Sequence, residues 1–182
     1  NDIKIRLASS GTNSTISEVI NNLKNVDYIL IDGSFDRITQ VSAFRDSFFY
    51  YVFKLSPSNI DDIYDRIMLL ELIKKTEVKT ENYDFISKLK DDFLIYNDML
   101  YLKGALTNLK IEKIPKNVKK LIISDFTKVF LNFKEYQKLL SNFKVFFASN
   151  FNLLGYVINY YDLNRKDFEK RFNPEIIKNF IY

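Results

Sequence analysis

Short apolar runs separated by stretches of helical periodicity constrain this chain more than any other feature of it. Leu121-Ile-Ile-Ser124, Val145-Phe-Phe147 and Leu153 to Tyr160 read as strands, and residues around Lys134 to Asn142 between them read as a helix. Strands alternating with helices at this spacing predict an α/β fold with a mainly parallel sheet and flanking helices. No repeat or low-complexity segment breaks the pattern.

The same reading extends to both ends. Ile3-Lys-Ile-Arg-Leu7 alternates apolar and charged side chains as a strand with one covered face does, and Ser9 to Asn13 turns the chain. Ile16, Val19, Ile20 and Leu23 then recur at helical spacing behind a Thr15-x-x-Glu18 capping box, with the helix ending near Asn25. Tyr28-Ile-Leu-Ile31 and Phe48 to Leu55 are continuous apolar runs of the kind found in doubly covered parallel strands.

Pro57-Ser58 starts a helix that runs to Lys75, with Ile60, Ile63, Ile67 and Leu70 as its buried stripe and Asp61 and Asp62 at its positive end. The polar stretch Thr76 to Asn82 has no periodicity and is the expected linker. It divides the chain into residues 1–78 and residues 79–182, the latter a second small α/β unit. In that second part, Phe93 to Tyr96 and Met99 to Leu102 form a hairpin around Asn97-Asp98. A helical region around Asp167 to Phe172 follows, and a helix from Pro174 to the end closes the chain.

Composition narrows the chemistry. The 182 residues contain no Cys and no His, which excludes thiolate catalysis, zinc sites and an imidazole base. A net charge of +4 is too balanced to call for a nucleic-acid partner, although six lysines from Lys103 to Lys120 stand against a single Glu112. That cluster reads as a solvated face, with phosphate binding as the alternative. No apolar run reaches the ~20 residues that span a bilayer and no signal segment opens the chain, so the cytoplasm is the expected compartment.

Among four glycines, Gly11, Gly33 and Gly104 each follow an expected strand, where open α/β sheets place ligands, whereas Gly155 lies inside one and marks a bulge or a close approach. The sharpest constellation is Ile29-Leu-Ile-Asp-Gly-Ser-Phe-Asp-Arg37. An aspartate at the carboxyl end of a buried strand can hold a magnesium water shell, and Arg37 can neutralise phosphate. Equally, Asp32 can cap a turn and pair with Arg37.

The chain contains neither G-x-x-x-x-G-K-[ST] nor G-x-G-x-x-G, so neither phosphate-binding fingerprint is present. Asp61-Asp62 and Asp91-Asp92 read as capping or solvated pairs, and Tyr160-Tyr161 as strand packing. No catalytic residue is assigned.

The stretch Ile3 to Arg37, then Lys103-Gly-Ala-Leu-Thr-Asn108, Asp125-Phe-Thr-Lys-Val-Phe-Leu131 and Asn152 to Tyr182, resembles in the same order the P-loop accessory proteins encoded beside lysine 5,6-aminomutase. Those proteins form a subunit of the system that reactivates that adenosylcobalamin-dependent enzyme. The family's Gly-Lys-Thr loop has no match here, and the bulky Phe49-Tyr-Tyr-Val-Phe53 stands where the family has small residues.

The resemblance implies a C-terminal part of such a protein, or a relative that has lost the loop, with residues 1–78 as the second half of a P-loop-like α/β domain. It assigns Asp32 and Gly33 to the magnesium and terminal-phosphate corner, Asp32 as the metal-side carboxylate, with Asp36 and Arg37 beside them. It implies no cofactor held by this chain alone, Mg-ATP in a full-length parent, and as partners a cobalamin-dependent aminomutase and a partner ATPase subunit, with a homo-oligomer left open. A small phosphotransfer enzyme built on Asp32, Asp36 and Arg37 is the alternative, and nucleic-acid binding through Lys103 to Lys120 a third.

Overall fold

The computed structural model describes residues 13–24, 26–31 and 47–182. The chain divides into two compact units, Asn1–Phe44 and Arg45–Tyr182. In the first, helix α1 spans Asn13–Asn22, so the helix is already running at Thr15, the expected cap. Residues 28–31 join no ladder among the described residues. Tyr28 and Leu30 are 88% and 97% exposed, which corrects the expected buried strand. A four-residue apolar run becomes a strand only when a neighbour satisfies its backbone groups, and periodicity cannot report that neighbour.

The second unit holds two sheets. Strand β1 (Phe49–Leu55) leads through Ser56 to Asn59 into helix α2 (Ile60–Lys74). Strand β2 (Glu77–Val78), helix α3 (Tyr83–Ser87) and the hairpin β3 (Phe93–Tyr96) and β4 (Met99–Leu102) come next. Helix α4 (Asn108–Ile111), strand β5 (Lys120–Ile123), helix α5 (Phe133–Asn142) and strand β6 (Lys144–Phe147) complete the middle of the chain. The last elements are β7 (Leu153–Tyr160), α6 (Arg165–Glu169), α7 (Pro174–Ile177) and β8 (Phe180–Ile181).

One sheet has the order β1-β7-β8 and is parallel throughout. The other has the order β2-β6-β5-β4-β3, with only the β3–β4 hairpin antiparallel. The α/β fold with a mainly parallel sheet is therefore present, carried on two sheets.

Two expected boundaries shift. The expected linker contains β2, which pairs with β6 as Glu77↔Phe146 and Val78↔Phe147, followed by a 3-10 turn over Thr80–Asn82. The final helix stops at Ile177, and Phe180 and Ile181 add a strand beside Tyr156 and Val157. A two-residue strand is too short to carry any alternation. Strands from both sides of residue 78 share each sheet.

The five-stranded sheet is buried where its three central strands meet. Leu100, Leu121 and Val145 form one row and Leu102, Ile123 and Phe147 another. On its opposite face Ile122 and Phe146 pack with Ile86 and Ala148. Helix α5 is set by a complete capping box: the Asn132 carboxamide accepts from Glu135 N at 2.9 Å, and the Glu135 carboxylate accepts from Asn132 N at 2.8 Å.

The α5 side chain Tyr136 is buried and its hydroxyl lies 3.0 Å from that of Thr76, just beyond α2. Burial pushes the Tyr136 hydroxyl up to about 12, against the smaller opposing effect of the Thr76 hydrogen bond. The sheets are linked through aromatic rings: Phe49 of β1 stacks on Phe126 at 5.5 Å, and Phe151 meets both edge-on at 5.4 and 4.5 Å.

Candidate functional site

Asp32, Gly33, Asp36 and Arg37 lie outside the described residues, as does Gly11. The remaining sequence candidates have definite places. Gly104 follows β4, and a Cβ there would stand 2.5 Å from the Asp92 carboxyl carbon, because the 103–104 backbone curls over Asp92, whose carbonyl accepts from Lys103 N and Gly104 N at 2.8 and 2.9 Å. The close neighbour is the end of the exposed Asp92 side chain, which can swing aside, so the approach belongs to the turn itself. Asp92 also lies 3.7 Å from the Lys110 ammonium, and Asp61 is ion-paired with Arg171 at 2.5 Å. Both expected acidic pairs thus supply surface pairing.

The lysine cluster is divided in the same way. Lys103 donates to the Leu89 carbonyl at 2.8 Å, Lys110 faces Asp92 and Lys120 faces Asp98 at 3.0 Å, leaving Lys113, Lys116 and Lys119 on the exposed rim.

The sequence reading named Asp125 only as the head of a stretch that carries the resemblance and gave it no role, yet it occupies the place that reading gave to Asp32: the carboxyl end of a buried parallel strand, here β5. Its surroundings decide its role. Asp125 is buried, one carboxylate oxygen accepts from Thr127 N at 2.9 Å and from the Thr127 hydroxyl, and the other accepts from the Ser124 hydroxyl at 3.0 Å. Both oxygens are engaged by their own turn. The following residue, Phe126, belongs to the aromatic cluster that joins the sheets. Asp125 therefore shapes the turn after β5.

Tyr160 and Tyr161 at the end of β7 have separate partners. Tyr160 stacks on Tyr182 at 6.0 Å, and the Tyr182 ring lies 3.3 Å beneath the Arg165 guanidinium. The Tyr182 hydroxyl donates to Glu169, which also accepts from Arg165 at 2.7 Å. Burial works against ionisation of Glu169, but its hydrogen bonds with Tyr182 and Arg165 outweigh this and hold its carboxyl below the usual range. Tyr161 carries the Lys54 ammonium at 4.4 Å. This group closes the carboxyl end of the β7–β8 pair.

The feature with the plainest functional content is one face of the three-stranded sheet. The register places Tyr50 beside Gly155, Val52 beside Val157, Lys54 beside Asn159 and Val157 beside Ile181. Strand alternation sends these to one face, while Tyr51, Phe53, Leu55, Tyr156, Ile158 and Phe180 point to the other. The second face is covered.

On that covered face the Tyr156 hydroxyl donates to Glu71 of α2 at 2.8 Å, Arg66 lies over Tyr51, and Phe168 and Phe172 pack on Phe180. On the first face Tyr50, Val52 and Ile181 are 50%, 60% and 44% exposed, and Phe48 and Leu154 at its amino end are exposed as well. The expected strand over 48–55 exists, but burial on both sides does not hold for it. Glycine at 155 matches a close approach in this sheet, since a Cβ would stand 2.6 Å from the Asn179 carbonyl oxygen. The ladder also shifts register between Phe49 and Tyr50, so the expected bulge is present too.

Among the described residues no cluster of three or more acidic side chains could hold a metal ion, and no helix is long and apolar enough to cross a membrane. No family model, no curated protein and no solved structure matches the chain.

Proposed function

We propose that this chain is the interaction portion of a nucleotide-dependent, chaperone-like reactivating factor for a cobalamin-dependent aminomutase, working in the cytoplasm with a partner ATPase subunit. The observation that carries the reading is the open apolar face of the parallel sheet at Tyr50, Val52 and Ile181. Parallel sheets are covered on both faces in stable proteins, and an exposed apolar surface of this kind is a docking surface by its energetics. The resemblance in residues 3–37, 103–108, 125–131 and 152–182 supplies the partners. In this reading Asp32, Gly33, Asp36 and Arg37 are what remains of a P-loop-like corner that faces Mg-ATP in a longer parent.

The chain acts by binding: a reactivating factor does conformational work, loosening the mutase so that spent cobalamin leaves. Co-purification with the aminomutase and the ATPase subunit, with and without Mg-ATP, is the direct test. Association is expected in at least one nucleotide condition, and none in any of them refutes the reading. Isothermal titration of the chain alone with magnesium nucleotides is expected to show very weak binding at most. Tight binding would favour the phosphotransfer alternative.

A further inference from the structure

We infer that two copies of this chain pair through strand β3, antiparallel across a two-fold axis at Leu94, so that their five-stranded sheets join into one. The dimer goes beyond the reactivating-factor reading, since it forms whether or not an aminomutase is the partner.

The hairpin fixes which backbone groups of β3 face outward. The Asp92 carbonyl accepts from Lys103 N at 2.8 Å, and the register continues as Phe93↔Leu102, Leu94↔Tyr101, Ile95↔Leu100 and Tyr96↔Met99. Opposed residues of an antiparallel pair alternate between bonded and non-bonded, so Asp92, Leu94 and Tyr96 turn their backbone groups to β4. Phe93 and Ile95 turn theirs away from it. Strand β3 ends the sheet order, and among the described residues no strand pairs with its outer side. The opposite edge of the same sheet is β2, which is two residues long and stands between Lys75 and Lys79, the shortness and charge that protect a sheet edge. Phe93-Leu-Ile-Tyr96 carries no charge and no proline, and Phe93, Leu94 and Tyr96 are exposed in the folded chain. Such an edge is a template for a further strand.

The strand is complementary to itself in one register, and this selects a second copy as the occupant. Outward groups pair only with outward groups, and side chains then decide the alignment. Phe93 opposite Phe93 sets the Asp91 and Asp92 carboxylates against Ile95 and Leu94 of the other copy. Ile95 opposite Ile95 sets Asp92 against Asp98, and Phe93 against Asn97, whose positive φ of 54° has already ended the strand. Phe93 opposite Ile95 avoids both faults. Each of these residues exchanges both backbone bonds with its counterpart, as aromatic and β-branched side chains that pair well across strands, and Leu94 meets Leu94 on the axis. Outward from there, Tyr96 with its hydroxyl lies opposite Asp92, Asp91 opposite Asn97, and the exposed Lys90 opposite Asp98. No like charges oppose one another, and Lys90 adds a second cation to the Asp98 carboxylate that Lys120 holds at 3.0 Å.

Sedimentation velocity of the full chain from micromolar to millimolar concentration is expected to show a reversible monomer–dimer equilibrium. Over the same range, amide hydrogen exchange at Phe93 and Ile95 is expected to slow as the dimer fills. Leu94→Lys and Leu94→Glu each place like charges on the axis and are expected to weaken the dimer by about fivefold or more. An equal mixture of the two variants is expected to recover it, because the axis then holds one charge of each sign. Phe93→Pro, at the first residue of the strand, removes an outward N–H without adding charge and is expected to weaken the dimer to a similar degree. Thermal melts confirm which variants are folded.

A chain that stays monomeric at millimolar concentration overturns the inference. So does a dimer indifferent to the Leu94 variants and to Phe93→Pro, which places the interface elsewhere, and so does a mixture of Leu94→Lys and Leu94→Glu chains that stays monomeric, which refutes the two-fold register. If the chain dimerises in this way but fails to co-purify with the mutase or the ATPase, the β3 pairing stands and the reactivating-factor reading falls.

Discussion

Replacing Tyr156 by phenylalanine isolates one hydrogen bond in the middle of the molecule. Tyr156 is buried beneath α2, its hydroxyl donates to Glu71 at 2.8 Å, and Glu71 is itself among the buried residues. Burial, then repulsion from the Glu71 carboxylate, then the hydrogen bond that Tyr156 donates push its ionisation far upward, so the hydroxyl remains a donor. Phenylalanine keeps the ring and its contacts with Phe53 and Phe180 at 6.1 and 5.8 Å.

What is lost is a hydrogen bond to a charged group, worth about 1.5–3 kcal/mol when the acceptor stays behind in the interior. With a urea m-value of about 1–3 kcal/mol/M for a domain of this kind, the midpoint should fall by roughly 1 M at constant m. Far-UV circular dichroism in urea measures it. Glu71→Met tests the other half, and the double variant should recover about 1–2 kcal/mol of the summed single losses, because an apolar pair leaves neither group unsatisfied. A Tyr156→Phe loss within about 0.5 kcal/mol of zero, or strict additivity in the cycle, refutes the reasoning.

Gly155→Ala should cost about 1–3 kcal/mol in the same assay, since the new methyl meets the Asn179 carbonyl at 2.6 Å and backbone cannot step aside cheaply; a neutral result contradicts the packing described. Asn132→Ala should cost about 1 kcal/mol through loss of the α5 capping box. Asp125→Asn should lower stability by about 1–3 kcal/mol, because the carboxylate accepts from Ser124 and Thr127 at once. Alkaline stability should decline between pH 10 and about 12: the Tyr136 hydroxyl is raised by burial in the folded chain, so the unfolded chain releases the proton first and is favoured as pH rises through that window. Urea midpoints across the window should fall less steeply for Tyr136→Phe.

Elements that the sequence reveals are those whose own side chains state their environment. Helix α2 announces itself through Ile63, Ile67 and Leu70, and the hairpin through Asn97-Asp98, where Asn97 takes a positive φ of 54°. Strands β5, β6 and β7 are legible as apolar runs because five strands of one sheet and three of another bury most of them. Tyr28 to Ile31 has the same composition and a different fate, since pairing is a property of two segments and only one was visible. Glu71 is hidden for a related reason: a glutamate in a helix reads as solvent-facing until β7 brings Tyr156 against it.

The candidate docking face was misread for the opposite cause. Tyr50 and Val52 look like core residues in sequence, and only the arrangement of α2, α6 and the strands shows that helices cover one face of that sheet. The aspartate-glycine motif at Asp32 remains a sequence inference, since those residues fall outside the described part of the chain.

The connectivity of the smaller sheet sets an order of assembly on the ribosome. Phe49 waits for Leu153, a pairing of high sequence separation, and Tyr156 waits for Phe180, so this sheet closes only when the last of its strands have emerged. Strands β3 to β6 lie between the two halves of that sheet and each pairs with the next in sequence, whereas β2 must wait for β6. Local pairings form early because little loop-closure entropy stands against them, and distant ones form late. The β3 to β6 part of the five-stranded sheet is thus expected to fold first, while β1 waits without its ladder partner β7. That interval is when the chain most needs a chaperone, and slowing translation after residue 147 should lengthen it.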